Sequence, residues 1–134
     1  LVLATEAADQ LLPTIRSRCQ SHAMGWPDES EAVDWLLAQV NSDGQSRATH
    51  EQAKVWLQAA GGRPDDALDW ARSGLDAQAW HALPKALARG DWSLLASWPA
   101  ARQLAVLQKL CHDLMAQASG AAPRFFPASQ LPLA

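Results

Sequence analysis

Glycine and proline cut this chain into lengths that suit helices and little else. Gly25-Trp26-Pro27, Asp43-Gly44, Gly61-Gly62, Gly74, Gly90 and Pro99 each interrupt the sequence, and the stretches between them carry apolar residues at helical spacing. The first stretch opens with Asp28 and, three residues on, Glu31, the pattern of a capping box with acids in the first turn. Ala32, Val33, Leu36, Leu37 and Val40 then fall on one face. Residues 41–46 read as a loop. Thr49 and Gln52 form a second capping box, ahead of a stripe of Ala53, Trp56, Leu57 and Ala60 that Gly61-Gly62 ends. Pro64 suits a first helical position, Asp65 and Asp66 complement the helix dipole, and Gly74 closes a helix that runs to about Ser73. Three short amphipathic helices with short connections predict a small bundle over residues 28–74.

A second helical group follows. Residues 76–89 read as a helix with Pro84 as a kink, Asp91 caps a short helix through Trp98, and Pro99 starts the longest, to about Ser119. Leu104, Leu107, Leu110, Leu114 and Met115 form the expected stripe of that last helix. The end, APRFFPASQLPLA, is proline-rich and reads as irregular. At the other end, residues 1–5 (LVLAT) have the composition of a buried strand, stopped by Glu6. Residues 9–18 predict a short helix limited by Pro13, and residues 19–24 an extended segment. The expected fold is therefore mainly α, with a remnant strand at its N-terminus.

Net charge is −3, which argues against this chain wrapping nucleic acid by itself. The charge is uneven. Residues 28–76 hold ten acids and four bases, whereas residues 77–134 hold two acids and five bases, so two units with different neighbours are expected. Two cysteines, Cys19 and Cys111, make no disulfide framework and fit a reducing cytoplasm. No apolar run approaches the roughly 20 residues that span a bilayer, so no membrane partner is expected, and no signal-peptide pattern is present. The chain opens on Leu1 inside an apparent strand that has nothing to pair with, so a fragment of a longer protein is expected.

The segment LLPTIRSRCQ, residues 11–20, carries the chemistry. Arg16 and Arg18 bracket a serine on a short turn, and two guanidinium groups held there make a cationic fork suited to phosphate oxygens. A strand, a polar turn, LLPTIRSRC, and then a three-helix bundle closed by a Gly-Gly turn together resemble the clamp-loader branch of the AAA+ ATPases. Within that branch the resemblance is to the delta-prime family of bacterial DNA polymerase III. It implies three parts: residues 1–27 as the end of an AAA+ core, residues 28–74 as the lid, and residues 75–134 as the start of a helical collar that oligomerises the loader. Thr5 matches the sensor 1 position, and Ser17-Arg18-Cys19 matches the Ser-Arg-Cys motif. In that family the motif's arginine is a finger that reaches the ATP of a neighbouring subunit.

ATP-binding relatives of the gamma/tau type carry a sensor 2 arginine at the start of the third lid helix, in the pattern Gly-Ser-Leu-Arg-Asp-Ala-Leu. Gly62–Leu68 reads GRPDDAL, so Asp65 stands where that arginine would be, and a carboxylate there repels a γ-phosphate. Arg63, two residues away, is the arginine that an irregular turn could put in its place. The GDWSLLA run from Gly90 to Ala96 also resembles the delta-prime collar. The resemblance thus implies a non-hydrolysing subunit that binds no cofactor itself and supplies Arg18 to ATP-Mg in its neighbour, with a vestigial Thr5. The implied partners are the gamma/tau and delta subunits, and the sliding clamp and primed DNA through the complex. Two other readings remain open: a gamma/tau-type ATPase subunit, and a helical module whose only role is assembly.

The remaining chemistry-bearing residues take plainer readings. Arg16 is expected in a structural ion pair or an interface, and Cys19 as a small buried hydrophobe with no metal-ligand spacing around it. Cys111 and His112 are adjacent on a helix and point apart, so they make no dyad. His22, His50, His81 and His112 show no paired spacing. The tryptophans on the helices, Trp35, Trp56, Trp70, Trp80, Trp92 and Trp98, are expected to pack or make subunit contacts rather than stack on bases.

Overall fold

The breaks in the sequence become the ends of helices. A computed structural model of the chain describes residues 2–5, 7–42 and 47–132. After a 3₁₀ turn at Ala8–Gln10 come α1 (Pro13–Arg16), α2 (Glu29–Ser42), α3 (His50–Ala59), α4 (Pro64–Arg72), α5 (Ala77–Ala88), α6 (Ser93–Ala96) and α7 (Ala100–Ala118), with a last 3₁₀ turn at Ala128–Gln130. The mainly α expectation holds. The strand expected over residues 1–5 does not form among the described residues: Val2–Thr5 is without regular structure and exposed. A strand needs a neighbour to take its N–H and C=O groups, and none of the described residues offers one. Leu1 and Glu6 lie outside the described residues. The loop expected at residues 41–46 begins later, since α2 continues through Ser42; residues 43–46 lie outside the described set.

Helices α2, α3 and α4 pack on one another as the predicted bundle. Ala32, Val33, Leu36 and Leu37 of α2 face Ala53, Trp56, Leu57, Ala67 and Leu68, all buried. Thr49 makes its capping box with Gln52: the Thr49 Oγ1 accepts from Gln52 N–H at 3.3 Å and Gln52 Oε1 accepts from Thr49 N–H at 2.9 Å. Helix α3 ends with the N–H of Gly62 on the carbonyl of Leu57 and that of Gly61 on Gln58, a Schellman motif that needs Gly61 at φ +68°. The same bond pair closes α4 at Gly74, α5 at Gly90 and α7 at Gly120.

An aromatic spine joins this bundle to the second half. Trp70 of α4 lies 5.5 Å from Trp80 of α5 and 5.8 Å from Trp98, and Trp80 stacks on Phe126 at 4.5 Å with the rings 10° from parallel. Such pairs contribute about 0.5–1.5 kcal/mol each beyond the area they bury. Trp80 Nε1 donates to the Phe125 carbonyl at 3.1 Å, and Trp56 of the bundle donates its Nε1 hydrogen to the Leu75 carbonyl at 2.8 Å. The packing role expected for the helical tryptophans holds for Trp56, Trp70 and Trp80, which are buried, and in part for Trp98; Trp35 and Trp92 are exposed. Asp91 caps α6 from one place further out than expected, accepting the Ser93 N–H at 3.0 Å, and the Ser93 hydrogen bonds hold its carboxyl below the ordinary carboxylate range.

The stripe expected on α7 holds in part: Leu110 is buried and Leu107 and Leu114 pack against the core, but the two outer positions do not. Leu104 and Met115 are 58% and 68% exposed, while Val106, Leu110 and Asp113 are buried. The true face meets the proline-rich tail, which folds back so that Phe126 and Leu131 enter the core.

Candidate functional site

Helix α1 is one turn, started by Pro13, whose fixed φ suits a first helical position. Its backbone bonds run on beyond Arg16: Ser17 N–H donates to Pro13, Arg18 N–H to Ile15 at 3.0 Å, and Cys19 N–H to Arg16 at 3.4 Å. Ser17 Oγ donates to the Thr14 carbonyl at 3.3 Å. The Ser17-Arg18-Cys19 turn is thus held by local bonds, while the side chains of Arg16, Ser17, Arg18 and Cys19 all point to solvent. Among the described residues neither Arg16 nor Arg18 meets a carboxylate, so the ion pair expected for Arg16 is not made there. Cys19 is exposed, not buried as its small apolar character suggested. The turn carrying it packs on no core, so there is nothing for the thiol to enter. Thr5 Oγ1 accepts the Ala7 N–H at 3.1 Å, and no hydrogen bond joins it to residues 17–19. A guanidinium on such a turn has all five donors free for an anion brought by another molecule.

Asp65 occupies the first turn of α4 and is exposed. Arg63 is the N-cap residue of that helix, and its Nε pairs with Asp66 Oδ2 at 2.5 Å. Arg63, the arginine that an irregular turn could have put in place of Asp65, is therefore engaged with its own helix. No cluster of three or more His, Cys, Asp or Glu side chains among the described residues could hold a metal ion.

One polar centre lies outside everything the sequence singled out. Asp113 is fully buried, and its carboxylate accepts three backbone N–H groups of the tail: Arg124 on Oδ1 at 2.9 Å, Phe125 on Oδ2 at 2.7 Å and Phe126 on Oδ2 at 2.8 Å. His112 Nδ1 lies 3.0 Å from Oδ1 and its ring meets Phe125 edge-on at 5.5 Å, so it faces the tail and not Cys111. From this anchor Arg124 reaches across to the Gly61 carbonyl, through Nε at 3.1 Å and its terminal amine at 2.5 Å, and Lys109 Nζ donates to Ala59 at 2.6 Å. Two cations thus stand at the C-terminal end of α3, where the helix dipole favours them. Burial, and then the nearby Arg63, hold the Lys109 ammonium below its ordinary pKa, with Asp66 opposing. This centre fixes the orientation of the two halves. It is a structural joint.

Over 100 residues the chain is 37% identical to DNA polymerase III subunit delta' of Escherichia coli (strain K12). The chain is a homologue of delta-prime. The match takes in 71% of this chain and 28% of the relative, so the chain spans little more than a quarter of the delta-prime subunit it matches. No family model and no solved structure matches. No helix among the described residues is long and apolar enough to cross a membrane.

Proposed function

We propose that this chain is the lid and the start of the collar of a clamp-loader subunit of bacterial DNA polymerase III, acting in replication in the cytoplasm. In this reading residues 1–27 end an AAA+ core, residues 28–74 are the lid, and residues 75–134 begin the collar. The subunit hydrolyses no ATP. Its neighbours are gamma/tau and delta subunits, and it meets the sliding clamp and primed DNA through the assembly. The observation that carries the reading is Arg18: in a delta-prime homologue, it stands free among the described residues on a turn held by its own backbone bonds.

The mechanism is electrostatic. Charge grows on the γ-phosphoryl oxygens as the bond to the leaving oxygen loosens, and a guanidinium entering from the next subunit neutralises it. Arginine fingers contribute roughly a thousandfold or more to rate, about 4 kcal/mol of barrier. Ser17 and Cys19 set the turn that aims Arg18. Asp65 opposes nucleotide binding in this chain's own lid, since its charge repels phosphate, which disfavours the gamma/tau-type reading. The exposed Leu104 and Met115 of α7 favour assembly as part of the role under either remaining reading.

The test is Arg18→Ala in the full-length subunit, assembled with its gamma/tau and delta partners. ATP turnover in the presence of clamp and primed DNA is expected to fall at the site Arg18 serves, with assembly unchanged by gel filtration. Normal turnover in a normally assembled loader rejects the finger and leaves the structural module.

A further inference from the structure

Ser73–Asp76 links α4 to α5, and a cavity of about 170 Å³ lies against this link. Its deepest lining is Leu75, Trp80 and Leu83, which are buried, and Ala79, Leu94 and Trp98 add half-buried apolar surface. The whole lining comes from residues 73–98, so the site is complete within this chain. Protein interiors hold few voids larger than a water molecule. A space of this size between the bundle and the second helical group is therefore a place that a ligand can fill.

The polar groups around the space are already engaged inside the chain. Ser73 Oγ donates to the Trp70 carbonyl at 2.8 Å, Asp76 Oδ1 accepts the Ala79 N–H at 2.7 Å, and Trp80 Nε1 donates to the Phe125 carbonyl at 3.1 Å. The backbone of the link is engaged too. Gly74 N–H donates to Ala71 and Leu75 N–H to Trp70, and the Leu75 carbonyl accepts from Trp56 Nε1. A buried water is held by roughly two to four polar partners, and this lining has few to give. An anion is repelled by Asp76, and any ion would leave its hydration shell for leucine side chains. These conditions select an uncharged apolar molecule. Size narrows the choice, since an apolar cavity of about 150 Å³ in another protein takes benzene or xenon. The indoles of Trp80 and Trp98 favour an aromatic ring, which packs on them edge-on or offset.

We propose that this cavity binds a small uncharged molecule built on one aromatic ring. Bound there, the ring touches Leu75 of the link, Leu83 of α5 and Trp98 ahead of α7, and so ties the bundle to the second helical group. The proposal does not depend on the finger role of Arg18.

Benzene titrated into the ¹⁵N-labelled chain tests it. The amide signals of Leu75, Ala79 and Leu83 and the indole signal of Trp98, assigned with Trp98→Phe, are expected to shift saturably. The amides of Ile15 and Arg18, outside the buried core, are expected to stay in place. The melting temperature is expected to rise with benzene concentration, as mass action requires of a ligand that prefers the folded chain. Benzoate, the same ring with a charge, is expected to shift none of these signals. Ala79→Leu puts extra carbons into the space and is expected to weaken benzene binding by about tenfold or more. The Trp56 indole signal, hydrogen-bonded in the core, shows whether that variant is folded, and the more flexible Ala79→Met serves if it is not. No saturable shift up to the solubility of benzene overturns the proposal. So does benzoate binding as tightly as benzene, or an unaltered benzene affinity in the folded variant.

Discussion

Asp113 shows how much one side chain can organise here. Three N–H groups of consecutive residues converge on its fully buried carboxylate, the last of them that of the buried Phe126. A buried donor left without a partner costs about 1–3 kcal/mol. Asp113→Ala strands three at once and is expected to cost about 3 kcal/mol or more in urea unfolding followed by tryptophan fluorescence. Asp113→Asn rescues only part of this, because its amide nitrogen would face N–H donors that now meet an oxygen. Equal stability of Asn and wild type would show that the second oxygen is dispensable. Gly61 makes a second residue-scale test. A Cβ there would lie 2.6 Å from Phe125 Cε1 and 3.0 Å from Arg124 Nε, at φ +68°. Gly62, at φ +82°, has nothing within 4 Å of the same added atom. Both alanine variants incur the left-handed backbone cost of about 1–2 kcal/mol, but only Gly61→Ala also displaces the joint. Gly61→Ala is therefore expected to melt lower than Gly62→Ala, and matching melting temperatures would count against the close packing of Phe125.

At the scale of elements, helix ends were legible because they are local. The bonds that close α3, α4, α5 and α7 lie within a few residues of glycines that sequence alone displays. The buried face of α7 was legible only in part, at Leu107, Leu110 and Leu114, for two reasons. Leu107 and Leu114 are half-buried and border both the expected face and the true one, so periodicity does not choose between them. The true face also contains Asp113, a charge that counts against burial until its partners, 11 to 13 residues on, are known. At the candidate site the division is similar: the Arg18 turn and the place of Asp65 rest on local sequence, whereas the Arg124 contact with Gly61 spans 63 residues. Lys109 ties α7 to the end of α3 and gives this joint a pH dependence. Its folded pKa lies below its ordinary 10.5, so in the window just under 10.5 the unfolded chain holds this proton more tightly. Stability from this group therefore rises with pH across that window and is constant below it. The chain has no tyrosine, so few other groups titrate there. Lys109→Met is expected to flatten the slope of unfolding free energy against pH in that window. An unchanged slope would mean that the ammonium is as well solvated folded as unfolded.

For the whole molecule, the distribution of burial separates folding from the proposed function. Among the described residues before Ala32 none is buried, although Val2, Leu3, Leu12, Met24 and Trp26 are large and apolar. Every fully buried side chain lies in the bundle, the second helical group or the tail, and these are tied together by the tryptophan spine and by the Asp113 and Lys109 contacts. The cooperative unit is therefore residues 28–132, and the segment carrying Arg18 hangs outside it. Deleting residues 1–27 is expected to change the unfolding free energy by less than about 1 kcal/mol, since none of the described residues it removes is buried. Its m-value in urea should fall only slightly, because a segment already exposed adds little surface on unfolding. A loss of several kcal/mol would mean that the arginine-bearing turn belongs to the core. A small one would leave Arg18 on a segment whose order comes from its own hydrogen bonds and from whatever it meets, as the proposed contact with another subunit's phosphate requires.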